Sequence, residues 1–157
     1  MEREYLLNWS LLVEEAIRRR RGMKLTQREL AALAKVSTPT VSRFEQQAKD
    51  VQLSSALAIL DVLGMTDKRT LTFPDKEFSY DSGVGVVTFW GQDGTTRVRC
   101  RISREALDDH FSEGNRLRPQ VAFEKHREAI EALARRKYLR DLLEPDKSVL
   151  IRTNEVA

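Results

Sequence analysis

The stretch "LTQRELAALAKVSTPTVSRFE", Leu25 to Glu45, decides the first half of this chain. Two helix starts lie within it, with almost no room for a loop between them. Thr26 and Glu29 have the T-x-x-E spacing of a capping box, and Leu25 is placed to staple onto Leu30. The helix they open cannot run far past Ala34. Ser37 is a good second N-cap, with Val36 and Val41 placed as its staple. Pro39 falls in the first turn, where its missing N–H costs little. Leu30, Leu33, Val36, Val41 and Phe44 predict a shared interior for the pair, and Ala31 is small where the two helices must cross. The second helix then presents Thr38, Pro39, Ser42 and Arg43 at its N-terminal end and outer face. That is the geometry of a helix-turn-helix, whose second helix fits the major groove.

The elements on either side are consistent with a small helical domain. In "NWSLLVEEAIRRRRG" the apolar residues Trp9, Leu12, Val13, Ala16 and Ile17 share one helical face. Arg18 to Arg21 occupy the last turn before Gly22, where positive charge suits the helix dipole. This run reads either as a solvated face or as a source of phosphate contacts. The helical pattern stops at Gly64, and Pro74 opens an extended region. The expected division is a domain over residues 1–66, a linker over 67–74 and a second domain over 75–157.

Residues 9–64 resemble the lambda repressor and Cro type of helix-turn-helix, the XRE family. The matching text is "TQRELA", "VS", "TVSRFE" and "QLSSALAILDVLG". The resemblance implies an all-α domain of four to five helices that binds double-stranded DNA. It implies that Gln27 contacts phosphate or braces the recognition helix, and that Thr38, Pro39 and Arg43 read base edges. The full set of expected DNA contacts is Gln27, Ser37, Thr38, Pro39, Thr40, Ser42, Arg43 and Gln46. Arg20, Arg21 and Lys24 are candidate phosphate contacts. Two positions depart from the family pattern: Lys35 and Gln47 stand where glycine is usual.

The second half alternates as strands do. "EFSYDSGVGVVTFWGQDGTTRVRCRI" reads as three strands with turns at Asp81–Gly83 and Gly91–Gly94. In the third strand Val98, Cys100 and Ile102 point one way, and Arg97, Arg99 and Arg101 the other. A helix follows, capped by Ser103 and stapled by Ile102 and Leu107. A longer helix begins near Pro119, with Phe123, Ile130, Leu133, Ala134 and Tyr138 on its apolar face. "EPDKSVLIRT" supplies a turn and a closing strand. The order is β-β-β-α-α-β, a small α+β domain. This half resembles domain-of-unknown-function family 1488 through "TFPDKEFSYDSGVGVVTFWGQDG", "VRCRISREALDDHF", "FEKHREAIEALARRKY" and "LEPDKSVLIRT". That resemblance implies a domain and no chemistry.

Composition narrows the function classes. The chain has 157 residues, 41% hydrophobic and 32% charged, an ordinary globular composition. Its net charge of +3 is too small to argue for a nucleic-acid partner. No apolar run approaches the roughly 20 residues of a membrane helix. The N-terminus lacks a signal-peptide pattern and Cys100 is the single cysteine, so a cytoplasmic protein is expected. No metal-spaced His/Cys cluster, phosphate loop or nucleophile elbow occurs, so neither an enzyme, a metal nor a cofactor is expected. Cys100 reads as a core residue or a redox-sensing thiol. His110 and His126 read as packed or dipole-facing histidines. The arginine stripe reads as a solvated sheet face or as a surface for phosphates or an acidic partner.

These features lead to a sequence-specific DNA-binding transcription regulator, a repressor binding as a homodimer. The second domain would supply dimerisation, through the face carrying Phe123, Ile130, Leu133, Tyr138 and Leu142, or would sense a protein or small-molecule effector. The alternatives are an antitoxin whose second domain grips a toxin, and a redox or enzymatic sensor.

Overall fold

The computed structural model describes residues 6–114 and 116–156; the acidic opening of the chain, residues 1–5, lies outside them. The chain divides into two compact units, Met1–Lys68 and Arg69–Ala157.

Among its described residues the first unit has four helices. α1 (Trp9–Gly22) starts where the Asn8 side chain accepts a hydrogen bond from the Leu11 amide, 3.1 Å. α2 (Gln27–Ala34) and α3 (Thr38–Glu45) follow, and α4 (Leu53–Val62) closes the unit. Val13, Ala16, Leu30, Ala31, Val41, Phe44, Ala56 and Ile59 form its core, with Trp9 edge-on to Phe44 at 5.5 Å between centroids. Leu33 is the exception among the expected interior residues: it is 58% exposed. In an eight-residue helix the buried arc is filled by Leu30, Ala31 and Ala34, and Leu33 falls just outside it. Leu53 and Leu57 on α4 are also exposed, so this unit does offer apolar surface beyond its own core.

The second unit is a four-stranded sheet with helices on one face. β1 (Phe78–Asp81), β2 (Val86–Asp93) and β3 (Thr96–Ser103) form an antiparallel meander, and β4 (Val149–Ile151) joins parallel to β3. A parallel neighbour requires a crossover. It is supplied by α5 (Arg104–His110), α6 (Pro119–Lys125) and α7 (Arg127–Leu139), and a short 3-10 turn, Thr153–Glu155, follows β4. Val87, Phe89, Val98, Cys100, Ile102, Val149 and Ile151 face Leu107, Phe123, Ile130 and Ala134 across this core. The alternation in β3 is as its sequence requires.

Three details differ from the sequence expectation. First, the segment expected as a linker enters the core: Leu71 and Phe73 are buried, and Thr72 bridges to Gln92. Gly91 explains how. It lies within β2 rather than in the turn, and a Cβ there would come within 2.6 Å of the Leu71 side chain. Only glycine lets Leu71 lie so close to the strand. Second, the single long helix is broken at His126 into α6 and α7. His126 has no helix-breaking chemistry, and its ring packs against Phe111 with centroids 5.4 Å apart. Third, most of the face expected to dimerise is used internally, and of its five residues Leu142 alone is exposed. Phe123 and Ile130 are fully buried, and Leu133 and Tyr138 pack against the same core.

Candidate nucleic-acid interface

Local chemistry sets the helix pair. The Thr26 hydroxyl accepts from the Glu29 amide at 3.1 Å, and the Glu29 carboxylate accepts from the Thr26 amide at 2.9 Å. α2 ends on Lys35, which adopts the left-handed conformation at φ 55°, with the Val36 amide reaching back to Ala31 O at 3.0 Å. Ser37 then caps α3, accepting from the Thr40 amide at 3.2 Å, with Pro39 in the first turn. The connection is therefore three residues, Lys35 to Ser37. Gln47, the other position where glycine is usual, also has positive φ, 64°. Both residues accept a conformation that is uncommon outside glycine.

A polar brace joins α1, α2 and α3 behind this pair. Arg20 Nε lies 2.5 Å from one Glu45 carboxylate oxygen and Nη2 3.1 Å from the other. Arg20 Nη1 donates to Leu25 O at 2.8 Å, and Gln27 Nε2 donates to Glu45 at 2.8 Å. The Arg20 and Glu45 side chains are only 12% and 9% exposed. Arg20 is thus withdrawn from the candidate phosphate contacts: burial and a bidentate carboxylate claim its donors. Of the two roles open to Gln27, the structure supplies the bracing one.

The remaining candidates lie on the outside of the motif. Ser37, Thr38, Pro39, Arg43 and Gln46 are exposed, and Thr40 and Ser42 are half-buried. Several have partners. The Ser37 and Thr40 hydroxyls share a hydrogen bond of 2.6 Å, and Gln46 Nε2 donates to Ser42 Oγ at 3.3 Å. Arg43 is ion-paired with Asp50, whose carboxyl is held below its usual range by that hydrogen bond and charge. Asp50 was not among the expected site residues; its only sequence signal is its place in the turn after α3. Arg18 and Arg19 pair with Glu15, and Arg19 also donates to Leu63 O and Gly64 O. Arg21 and Lys24 are exposed at the end of α1, and their side chains make no ion pair or hydrogen bond with a described residue.

In the second unit the arginine stripe is largely engaged. Arg97 stacks over Trp90 at 4.0 Å and lies 3.4 Å from Asp75, and Arg99 pairs with Asp146. Arg101 Nη2 donates to Ser148 Oγ at 3.0 Å. Cys100 is fully buried, and burial pushes its thiol up to about 12. A thiol that rarely ionises is a poor nucleophile or redox sensor. His110 Nε2 lies 2.8 Å from Thr153 O, joining the end of α5 to the 3-10 turn. Among the described residues, no group of three or more His, Cys, Asp or Glu is placed to hold a metal ion, and no helix is long and apolar enough to cross a membrane.

Comparison with known proteins follows the same division. A helix-turn-helix family model matches residues 17–68, and the model described as "Protein of unknown function (DUF1488)" matches residues 71–151. No curated protein matches the chain. Among solved structures, it is similar to a protein of unknown function from the DUF1488 family of Shewanella loihica PV-4. That match has 19% identity over 56% of this chain and 96% of that one, with a TM-score of 0.45. It is also similar to a chain in a HipA-HipB-O2-O3 complex, at 23% identity over 48% of this chain and 100% of that one, TM-score 0.37. The chain belongs to the DUF1488 family and carries, ahead of that domain, a DNA-binding helix-turn-helix of the XRE type.

Proposed function

We propose that the protein is a sequence-specific transcription regulator that binds duplex DNA as a homodimer and represses by excluding polymerase. α3 enters the major groove. Thr38, Pro39 and Arg43 meet base edges, with Ser37, Thr40, Ser42 and Gln46 beside them, while Arg21 and Lys24 meet phosphates and set the register. The observation that carries this reading is the braced helix pair. The polar residues of α3 stand outward, and Arg20, Glu45 and Gln27 hold α3 against α1 and α2 from behind. A reading helix has to be held at a fixed angle for its side chains to meet specific base edges, and this brace supplies that rigidity. A homodimer is part of the proposal because one such helix buries little surface on DNA, and two on a two-fold site bind as a linked pair.

Selection of sites from a random duplex pool by the full-length protein tests the reading. Enrichment of a two-fold symmetric site is expected, with light scattering giving a dimer. No enriched sequence would refute sequence-specific binding, and a monomer binding one half-site would remove the dimer. A protein that co-purifies through the second unit and tightens operator binding would move the reading to an antitoxin.

A further inference from the structure

We propose that the second unit binds a small organic anion, bearing phosphate or carboxylate groups, in a cleft of 1320 Å³ lined by Arg101, Arg104, Arg116, Arg118 and Arg152. Two of the five are already neutralised: Arg104 lies 3.6 Å from Asp108, and Arg152 lies 2.8 Å from Glu144. The other three have donors to spare. Arg116 and Arg118 alternate with Leu117, which packs against the core, so both are held outward beside the cleft. Neither side chain makes an ion pair or hydrogen bond with a described residue. Arg101 comes from β3, and its Nε is buried without a hydrogen-bond partner. A buried guanidinium N–H left in this state is costly, and native proteins seldom carry one without a ligand, water or ion in reach.

The lining also selects the kind of anion. Glu105, Asp108 and Asp109 face the same cleft; with the Arg104–Asp108 and Arg152–Glu144 pairs set aside, three arginines stand against Glu105 and Asp109, a surplus of one positive charge. An extended polyanion laid across it would meet all three carboxylates. A small anion can meet the guanidinium groups of Arg101, Arg116 and Arg118 and keep away from them. Val86, Leu117 and Leu150 add apolar surface that can take a short carbon skeleton. Arginine forks match planar carboxylate and phosphate oxygens bidentately, so both chemistries fit.

The test follows the arginine Nε–H resonances of the full-length protein by NMR, with the Arg101 signal identified by its loss in Arg101→Lys. Sodium pyrophosphate and citrate are titrated separately at constant ionic strength, with sodium chloride as the blank. A saturable shift at Arg101 with either anion is expected, and its identity tells phosphate from carboxylate recognition. Arg116→Gln with Arg118→Gln should weaken that binding at least tenfold. Arg97→Gln, outside the cleft, should leave it unchanged. No shift beyond that of chloride, or equal affinity in the Arg116/Arg118 variant, overturns the proposal. So does a shift produced by scrambled duplex DNA and by neither small anion, which would make the cleft a nucleic-acid backbone contact.

Discussion

Replacing Arg20 by Gln should cost the first unit much of its stability. Arg20 makes two hydrogen bonds to Glu45 and one to Leu25 O, in a pair whose side chains are 12% and 9% exposed. Removing one partner of a buried pair leaves the other charge uncompensated, at a cost of about 3–5 kcal/mol. Glu45 would retain only the Gln27 amide. A unit of this size commands only about 3–10 kcal/mol in total, at the usual stability per residue. Each kcal/mol lowers the midpoint of a small domain by about 4–8 °C, so a fall of at least ~12 °C is expected. The chain has two tryptophans, Trp9 and Trp90, one in each unit, so a Trp90→Phe background leaves Trp9 as a reporter beside Phe44. Urea melts followed by Trp9 fluorescence give the loss directly. Arg20→Met with Glu45→Leu, which removes both charges, should recover most of it, because the desolvation cost of the pair disappears as well. A loss below about 1 kcal/mol for Arg20→Gln would mean that the pair behaves like a surface ion pair, and the bracing role would fall.

Arg43→Ala should lose about 1–3 kcal/mol of discrimination at one base position, measured by gel shift on the selected duplex and a scrambled one; equal loss on both would make Arg43 a phosphate contact only. Arg21→Gln with Lys24→Gln should weaken all DNA similarly and reduce the salt slope by about 0.9 per lost contact, and an unchanged slope would return both to the solvated surface. Asp146 is held down to about 2 by the Ser148 hydroxyl and amide, with Arg99 adding to them. Because the folded value is depressed, its contribution to stability is present above the ordinary carboxylate range and fades as pH falls through it toward 2. An NMR titration of the carboxyl should show that low midpoint, and Ser148→Ala should raise it; no change would discount the hydrogen bond. Cys100 should resist thiol reagents in the native protein at neutral pH and react fully in urea, whereas rapid native labelling would contradict its burial.

What was legible in the sequence was what short-range chemistry controls. The Thr26/Glu29 box and the Ser37 cap are complete within four residues, so their spacing alone identifies them. The alternation of Val98, Cys100 and Ile102 against three arginines is equally local. Distant partners were not legible. Four consecutive arginines look alike in a sequence, yet Arg20 is buried by a carboxylate 25 residues away, Arg19 is bound to the end of α4, and Arg21 is left in solvent. Leu71 could not be told from a linker residue, because its place in the core depends on Gly91 twenty positions later. The cleft in the second unit gathers residues from β3, α5, the segment before α6 and the end of the chain, so no motif could announce it.

Several polar residues of the proposed reading helix, Arg43 among them, are engaged before DNA arrives, and this shapes what binding can discriminate. Arg43 already has Asp50, Ser42 has Gln46, and Ser37 and Thr40 have each other. Contact with a base is therefore an exchange of partners. The Arg43 and Asp50 side chains are 53% and 71% exposed, so their pairing is weak. A guanine offers the guanidinium two acceptors at once, and a good bidentate contact discriminates by about 1–3 kcal/mol. The exchange is favourable on such a base and close to neutral or worse on one that offers a single acceptor. Asp50 loses its partner in that exchange whichever base Arg43 meets, so the cost is the same for every sequence. The carboxylate thus lowers affinity uniformly, while the difference between bases is kept. Without that partner Arg43 would bind every sequence more tightly by the same factor, and weak sites would fill along with strong ones at a given concentration.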